Sequence, residues 1–485
     1  MPLSFATPRP PKRHWRLIGF FLLAHLVGFF SSIDALLSTR TPQGTIAWMV
    51  SLNTIPALSV PAYWVFGRDR FQGYVIARRD EDTALAIAMQ EQTTELWSHR
   101  YVHGPQDLHL RGVEQLAKWP FLGGNRVTLL KDGEQTFESI FAGIDAAERY
   151  LLVQFYIVHA DNLGHRLREA LIQRAQEGLK VYFLYDEIGS YGLPSSYLQG
   201  LRDGGVQVQR FHSTRGTGNR FQLNFRNHRK IVVADGMQAW VGGLNVGDEY
   251  LGKHPRIGPW RDTHLKIAGP AALALQMTFL EDWHWATDTI PELEWQPAFH
   301  HDADLAVLIL PSGPADRFET ASLMMQQSIH AAQQRIWIAS PYFVPDEGVQ
   351  GMLKLAALSG VDVRILIPEV PDNPLLYYAA YAFIGPLLEA GVKVYRYQEG
   401  FLHGKAFLVD DRGAAVGTVN LDNRSFRLNF EVTAIVQDQQ FAHEVEAMFE
   451  QDFTRSRQMV LEDIWQLSFW HRLASRAAYL FAPVL

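Results

Sequence analysis

The feature that most limits what this chain can fold into is a set of five residues that occurs twice. His228, Lys230, Asp235, Gly242 and Asn245 recur as His403, Lys405, Asp410, Gly417 and Asn420, each 175 positions later. A single short motif arises by chance, but five positions at a constant offset mark an internal duplication. The pattern around them agrees. "NRVTLL", "LLVQFYIV" and "KVYFLYDE" read as buried strands, and "FESIFAGIDAAERY" and "HRLREALIQRAQEG" between them have helical spacing. The same order restarts with "ADLAVLIL", "RFETASLMMQQSIHAAQQ" and "RIWIASPYFV". The expectation is an α/β fold of two βαβ-rich halves packed together, residues 122–290 and 304–456, joined by a linker at 291–303.

The motif itself places chemistry. Residues two apart on a strand share a face, so His228 and Lys230 in "HRK" point the same way, as do His403 and Lys405 in "HGK". Arg229, between the first pair, is expected to face outward. "ADGM" and "DDRG" are turn sequences, after which "AWVGGLN" and "AAVGTVN" return Asn245 and Asn420 towards each pair. Glycines in these returning stretches permit close backbone approach, as a bound oxyanion would require, and Gly243 and Thr418 are candidate phosphate-binding positions. Two imidazoles among ammonium and carboxamide donors suit a phosphodiester. One imidazole can attack phosphorus and the other protonate the departing oxygen, while the lysines and asparagines stabilise the developing charge. No metal or cofactor is expected, because the lysines supply the positive charge. The absence of cysteine excludes disulfides and thiolate catalysis, and a net charge of −7 gives no whole-chain mark of a nucleic-acid binder.

The N-terminus reads differently. Trp15 to Leu37 and Ile46 to Phe66 are each about the length that crosses a bilayer as a helix and are rich in apolar residues. Arg9, Lys12 and Arg13 precede the first and Arg16 stands at its start, Arg68, Arg70, Arg78 and Arg79 follow the second, and Arg40 is the one basic residue between them. A two-helix membrane hairpin over 1–70 with both ends in the cytoplasm follows from that bias. Asn53, Pro56 and Pro61 leave open a broken, interfacial second segment. Residues 71–121 read as a polar connector with some helix. The last stretch, 457–485, interleaves Trp465, Phe469, Trp470, Leu473, Tyr479 and Leu480 with Arg472 and Arg476, the pattern of an interfacial amphipathic helix. "NPLLYYAAYAFIGPLLEAG" at 373–391 is a second apolar helix that could rim a lipid entrance. The basic run from Arg210 to Lys230, with Arg215, Arg220, Arg226 and Arg229, suits anionic headgroups or nucleic acid equally.

These motifs resemble the phospholipase D superfamily, whose signature is HxKxxxxD twice per active unit. More narrowly, "RTPQGTIAWMVSLNTIP", "NHRKIVVADGMQAWVGGLNVGDEY", "WRDTHLKIAGPA", "ASPYFVPD" and "HGKAFLVDDRGAAVGTVNLDNRSFRLNFE" resemble the bacterial cardiolipin synthases. The resemblance implies a phospholipase D-like fold and the catalytic set His228, Lys230, Asp235, His403, Lys405 and Asp410, the two aspartates bracing their loops rather than touching substrate. It implies a phosphohistidine on His228 with His403 as acid and then base. Lys230, Lys405, Asn245 and Asn420 would hold the phosphate, helped by Gly243 and Thr418. A carboxylate orients each histidine in this family: Asp262 fits for the first half and Glu431 for the second. The implied activity is transfer of a phosphatidyl group between two phosphatidylglycerol molecules, giving cardiolipin and glycerol. It implies a multi-pass protein of the bacterial inner membrane with its catalytic domain in the cytoplasm and no nucleic-acid partner. The rival readings are a membrane-anchored hydrolase or nuclease with the same histidines, and a non-catalytic scaffold.

Overall fold

The computed structural model describes residues 12–38, 42–67, 72–102, 104, 110–211, 225–300 and 302–485. The cationic positions Arg9, Arg40, Arg68 and Arg70, and Arg215 and Arg220 of the basic run, lie outside the described residues. The chain forms two compact units, residues 1–77 with 213–224, and residues 78–212 with 225–485.

In the smaller unit, helix α1 (Lys12–Ser38) contains the 23-residue stretch Trp15–Leu37, which is long and apolar enough to cross a membrane. The expected second span is corrected. It divides into α2 (Pro42–Thr54), α3 (Pro56–Ala62) and a π-turn at Tyr63–Gly67. Ile55 leaves helical geometry at φ −133° just before Pro56, as proline disfavours helix in the residue ahead of it. The pieces are tied to α1 by polar bonds, from Asn53 Nδ2 to Ser32 Oγ (2.7 Å) and from the Tyr63 hydroxyl to Asp34 (2.7 Å). The multi-pass hairpin therefore reduces to one candidate span among the described residues.

The connector carries helices Gln72–Ala88, Gln90–Ser98 and Leu110–Ala117, and the larger unit begins within the first of them, at Arg78. The first half then contributes strands β1 (Leu122–Lys131), β2 (Tyr150–Phe155), β3 (Lys180–Asp186), β4 (Gln207–Phe211), β5 (Arg226–Asn227), β6 (Ile231–Ala234), β7 (Gln238–Gly242), β8 (Trp260–Arg261) and β9 (Thr263–Ala268). The second contributes β10 (Leu305–Ser312), β11 (Arg335–Ala339), β12 (Phe343–Val344), β13 (Asp362–Pro368), β14 (Lys393–Tyr397), β15 (Phe401–Leu402), β16 (Ala406–Val409), β17 (Gly413–Gly417), β18 (Leu421–Asp422), β19 (Asn429–Gln437) and β20 (Ser456–Gln458).

One sheet runs through both halves. Outward from the antiparallel β1–β10 pair, the order β9, β7, β6, β2, β3, β4 is matched by β19, β17, β16, β11, β13, β14, with β20 added at the far edge. Each half buries its own apolar core, around Phe137, Leu167, Phe183 and Trp240 in the first and around Leu308, Met324, Ile338 and Phe383 in the second. Helix Pro270–Thr287 is buried on nearly every side, which fits its continuous apolar sequence.

The C-terminus also departs from expectation. Instead of one helix over 457–485, β20 joins β14, and two helices follow, Leu461–Trp465 and Phe469–Tyr479. Ser468 restarts the helix by accepting from the His471 N–H (3.2 Å). The last helix packs against helix Pro374–Glu389. Trp465, Phe469, Trp470, Leu473, Leu480 and Phe481 stay exposed.

Candidate active site

Two short strands leave their own halves and set the site. β5, just before the first motif, pairs in parallel with the start of β19, and β15, just before the second, pairs in parallel with β8. The exchange continues one residue further, from His228 N to Phe430 O (2.9 Å) and from His403 N to Arg261 O (2.7 Å). Each histidine is thereby laid beside the strand that carries the other half's acid.

The acid pairing follows, and it corrects the expected one. His228 Nδ1 bonds Glu431 (2.8 Å to Oε2), and His403 Nδ1 bonds Asp262 Oδ2 (2.7 Å). Asp262 and Glu431 do orient histidines in space, but across the two-fold rather than within a half. Both carboxylates are fully buried. A carboxylate accepts only, so Nδ1 carries the hydrogen and Nε2 of the neutral ring is left with a lone pair.

Burial drives the pKa of His228 down to about 4 and that of His403 to about 3, outweighing the acids beside them. Burial alone would raise Glu431 and Asp262. The facing histidine and lysine in each case outweigh it and hold both carboxyls below the usual range. Lys405 falls to about 8 and Lys230 well below its ordinary value, again through burial first. The charges of Lys230 and Lys405 act on one another and on both histidines, which places the two motifs in one electrostatic site. Each lysine ammonium donates to the carbonyl of its own motif histidine, at 2.6 Å for Lys230 and 2.5 Å for Lys405.

Both asparagines are buried. Asn245 is engaged at both ends of its amide, accepting from Ile157 N and donating to the Tyr250 hydroxyl. The side-chain oxygen of Asn420 is buried without a hydrogen-bond partner. Gly243 and Thr418, expected at the phosphate, serve the acids instead. A Cβ on Gly243 would come within 2.1 Å of Asp262 Oδ1, so glycine makes room for that carboxylate. The Thr418 hydroxyl donates to Glu431 Oε2 (2.5 Å), and Asn429 Nδ2 donates to Oε1 (3.1 Å).

Asp235 and Asp410 lie at turns with φ of +56° and +50°. Their carboxylates accept backbone N–H groups, from Glu148, Arg149 and Tyr150 in one case and from Gln333, Gln334 and Arg335 in the other. They hold the strand ends together and have no contact with the histidines.

Arg229 overturns the outward-facing expectation. It does point away from His228, but helix Pro270–Thr287 covers that face, leaving the side chain buried. It pairs with Asp282 (3.0 Å) and its Nε donates to the Glu431 carbonyl (3.0 Å). Asp282 also accepts from Gln154, Asn227 and Arg78. On the other pole Arg261 makes a two-pronged pair with Asp452. None of these supports was anticipated. "WRDTH" and "NHRK" held the arginines in view, but nothing local names their distant partners. Tyr156 was also missed: its ring meets His228 edge-on at 4.9 Å and lies under Lys230 at 5.3 Å.

The arrangement can hold one tetrahedral anion between two lysines while neutral imidazoles serve it. A family model described as "Cardiolipin synthase, PLD-like domain" matches residues 325–453. The chain is 47% identical over 471 residues to "Cardiolipin synthase A" of Pseudomonas putida strain KT2440, covering 96% of this chain and 98% of that one. It is 48% identical over 472 residues to "Cardiolipin synthase A" of Pseudomonas aeruginosa strain LESB58, covering 96% of each. Among solved structures, a phosphatidylserine synthase of Haemophilus influenzae superposes with a TM-score of 0.59 at 17% identity, over 78% of this chain and all of that one, a likeness of fold.

Proposed function

Since the chain belongs to the phospholipase D-like cardiolipin synthases, we propose that it uses phosphatidylglycerol as both donor and acceptor. His228 Nε2 attacks the phosphorus of the first lipid. The bond to the headgroup glycerol breaks, and glycerol leaves with a proton from His403. A headgroup hydroxyl of the second phosphatidylglycerol then gives its proton to His403 and attacks the same phosphorus. The phosphorus–nitrogen bond breaks, releasing cardiolipin and restoring His228.

The observation that carries this reading is the crossed pair of buried dyads with two buried lysines between them. Burial keeps both rings neutral in the free enzyme, which suits a nucleophile. The phosphate anion of a bound lipid raises the proton affinity of imidazoles beside it, which lets His403 carry the proton the leaving group needs. Lys230, Lys405, Asn245 and Asn420 hold the phosphoryl oxygens. Glu431 and Asp262 position the rings, and Asp235 and Asp410 brace the loops.

We infer further that the protein sits on the inner membrane. The apolar helix α1, with Arg9 just before it and Lys12, Arg13 and Arg16 in its first turns, and the exposed aromatic C-terminus support this. Incubating the protein in phosphatidylglycerol vesicles and analysing the lipids by mass spectrometry tests the reaction. Cardiolipin with one glycerol released per molecule is expected. Phosphatidic acid alone would make the protein a hydrolase, and cleavage of added DNA in place of lipid turnover would make it a nuclease.

A further inference from the structure

We propose that Arg396 forms a second phosphodiester site, which holds the phosphate of the acceptor lipid while its hydroxyl reaches the phosphohistidine. The inference rests on the reading of the reaction given above.

Arg396, on β14, is only 1% exposed. Its guanidinium lies over the rings of Tyr377 and Tyr381, at 5.1 and 4.7 Å. Its Nε faces the Met459 sulfur at 3.2 Å, and Nη2 is buried with no hydrogen-bond partner. Among the described residues no carboxylate is within ion-pair distance of it. Asp463 feels its charge but pairs with Arg457 instead (2.8 Å). Burying a permanent cation with no carboxylate in direct contact is costly, and a fork of guanidinium donors matches a phosphate.

The other half supplies the control. Strand register, followed outward from the motif strands, makes Leu151 the counterpart of Ile336, Tyr185 that of Ile367, and Arg210 that of Arg396. Arg210 lies at the surface and pairs with Glu187 at 2.8 Å. The same strand position thus holds a solvated, ion-paired arginine in one half and a buried arginine with no direct ion pair among the described residues in the other.

Location ties the buried arginine to the reaction. Arg396 lines a pocket with Tyr342, Asp372, Asn373, Leu376 and Tyr377, at the carboxyl ends of β11, β13 and β14. Ligands of α/β sheets bind at such strand ends. Ser340, two residues before Tyr342, accepts from the N–H of Leu421, next to Asn420. The Tyr342 hydroxyl donates to Asp372 (2.5 Å), which tempers the acid on the pocket wall. The chain from Arg396 runs directly to His403, the group that takes the acceptor's proton. The donor's phosphate occupies the lysines, and the acceptor brings a second phosphate three carbons from its attacking hydroxyl. That anion needs a cation of its own. Leu375 at the rim and the neighbouring exposed C-terminal helix offer an apolar path for its acyl chains.

The test compares two acceptors of one phosphohistidine in wild type, Arg396→Gln and Arg396→Lys. One acceptor is phosphatidylglycerol, read as cardiolipin. The other is labelled glycerol, which carries no phosphate, read as label exchanged into phosphatidylglycerol. Arg396→Gln is expected to lower the ratio of cardiolipin formation to glycerol exchange about tenfold or more, the scale of one charge-assisted phosphate contact. Arg396→Lys, which keeps the charge without the fork, is expected to fall between, with the KM for phosphatidylglycerol raised. It also decides the question if Arg396→Gln does not fold. An unchanged ratio in the variants, whether both reactions fall together or neither falls, overturns the proposal. Failure of the wild type to make cardiolipin from phosphatidylglycerol would instead overturn the reading on which it rests.

Discussion

The two poles of the site repeat one plan with different parts. At the His228 pole the acid is a glutamate from the other half, fixed by hydrogen bonds from Thr418 and Asn429, with the buried Arg229 donating to its carbonyl. At the His403 pole the acid is an aspartate, given space by Gly243 and braced by Arg261 on the next residue. Gly243 and Thr418 are equivalent by the 175-residue offset, yet one admits a carboxylate and the other binds one. The duplication therefore preserved the dyad geometry while changing how it is secured. It left room for the two histidines to take different parts in one reaction.

Removing the rings tests that division most severely. His228→Ala is expected to lose at least about 10⁴-fold in cardiolipin synthesis, as loss of a nucleophile does. His403→Ala is expected to lose about 10²–10⁴-fold, the range of an acid–base group. Steady-state rates with phosphatidylglycerol measure both, and equal losses would break the asymmetry.

The crossed acids come next. Glu431→Gln and Asp262→Asn keep shape but lose the charge that fixes the tautomer, and each is expected to reduce kcat by about 10²–10⁴-fold with a smaller change in KM. Activity within about twofold of wild type in either would break the claim that the acid works through the opposite histidine.

The equivalent pair Gly243 and Thr418 sharpens the contrast at smaller scale. Gly243→Ala drives a methyl against Asp262 and is expected to cost about 10²-fold in kcat, the effect of displacing a catalytic group by around 1 Å. Thr418→Ser keeps the hydroxyl and is expected to stay near wild type. Thr418→Val leaves Glu431 short of one donor and is expected to lower stability by about 1–3 kcal/mol in denaturant unfolding.

The smallest effect is in stability against pH. Both histidines have folded pKa values below the unfolded value of about 6.5, at about 4 and about 3. A lowered value stabilises the fold fully above about pH 6.5, and that contribution fades as pH falls towards 4 and 3, because the unfolded chain takes up the protons first. The melting temperature of the wild type is expected to fall over that window, and less steeply in His228→Gln. Parallel curves would count against burial as the cause.

The sequence held a large share of this. The duplicated halves and the histidine–lysine pairs were legible, because strand periodicity and a constant offset act locally, and the two orienting acids came from the family resemblance. Which acid serves which histidine was not. The choice depends on β5 and β15 each pairing across the two-fold, and two-residue strands leave no pattern of their own. Arg229 was misjudged for a related reason: alternation gives the face of a strand, but not whether a helix covers it. The second apolar segment has the composition of a span, but Pro56, one of the residues that left a broken segment open, decided its course. Thr418 looked like a phosphate ligand because its partner, Glu431, lies 13 residues on, at the site only after folding.

The crossed site is tested most directly by trapping the covalent intermediate. Wild type and Glu431→Gln are quenched within a single turnover of labelled phosphatidylglycerol, and the adduct is mapped by peptide mass spectrometry. The label is expected on His228, and Glu431→Gln is expected to form that adduct at least about tenfold more slowly, as loss of an orienting carboxylate implies. An adduct on His403, or one formed on His228 at the wild-type rate without the Glu431 charge, would contradict the account.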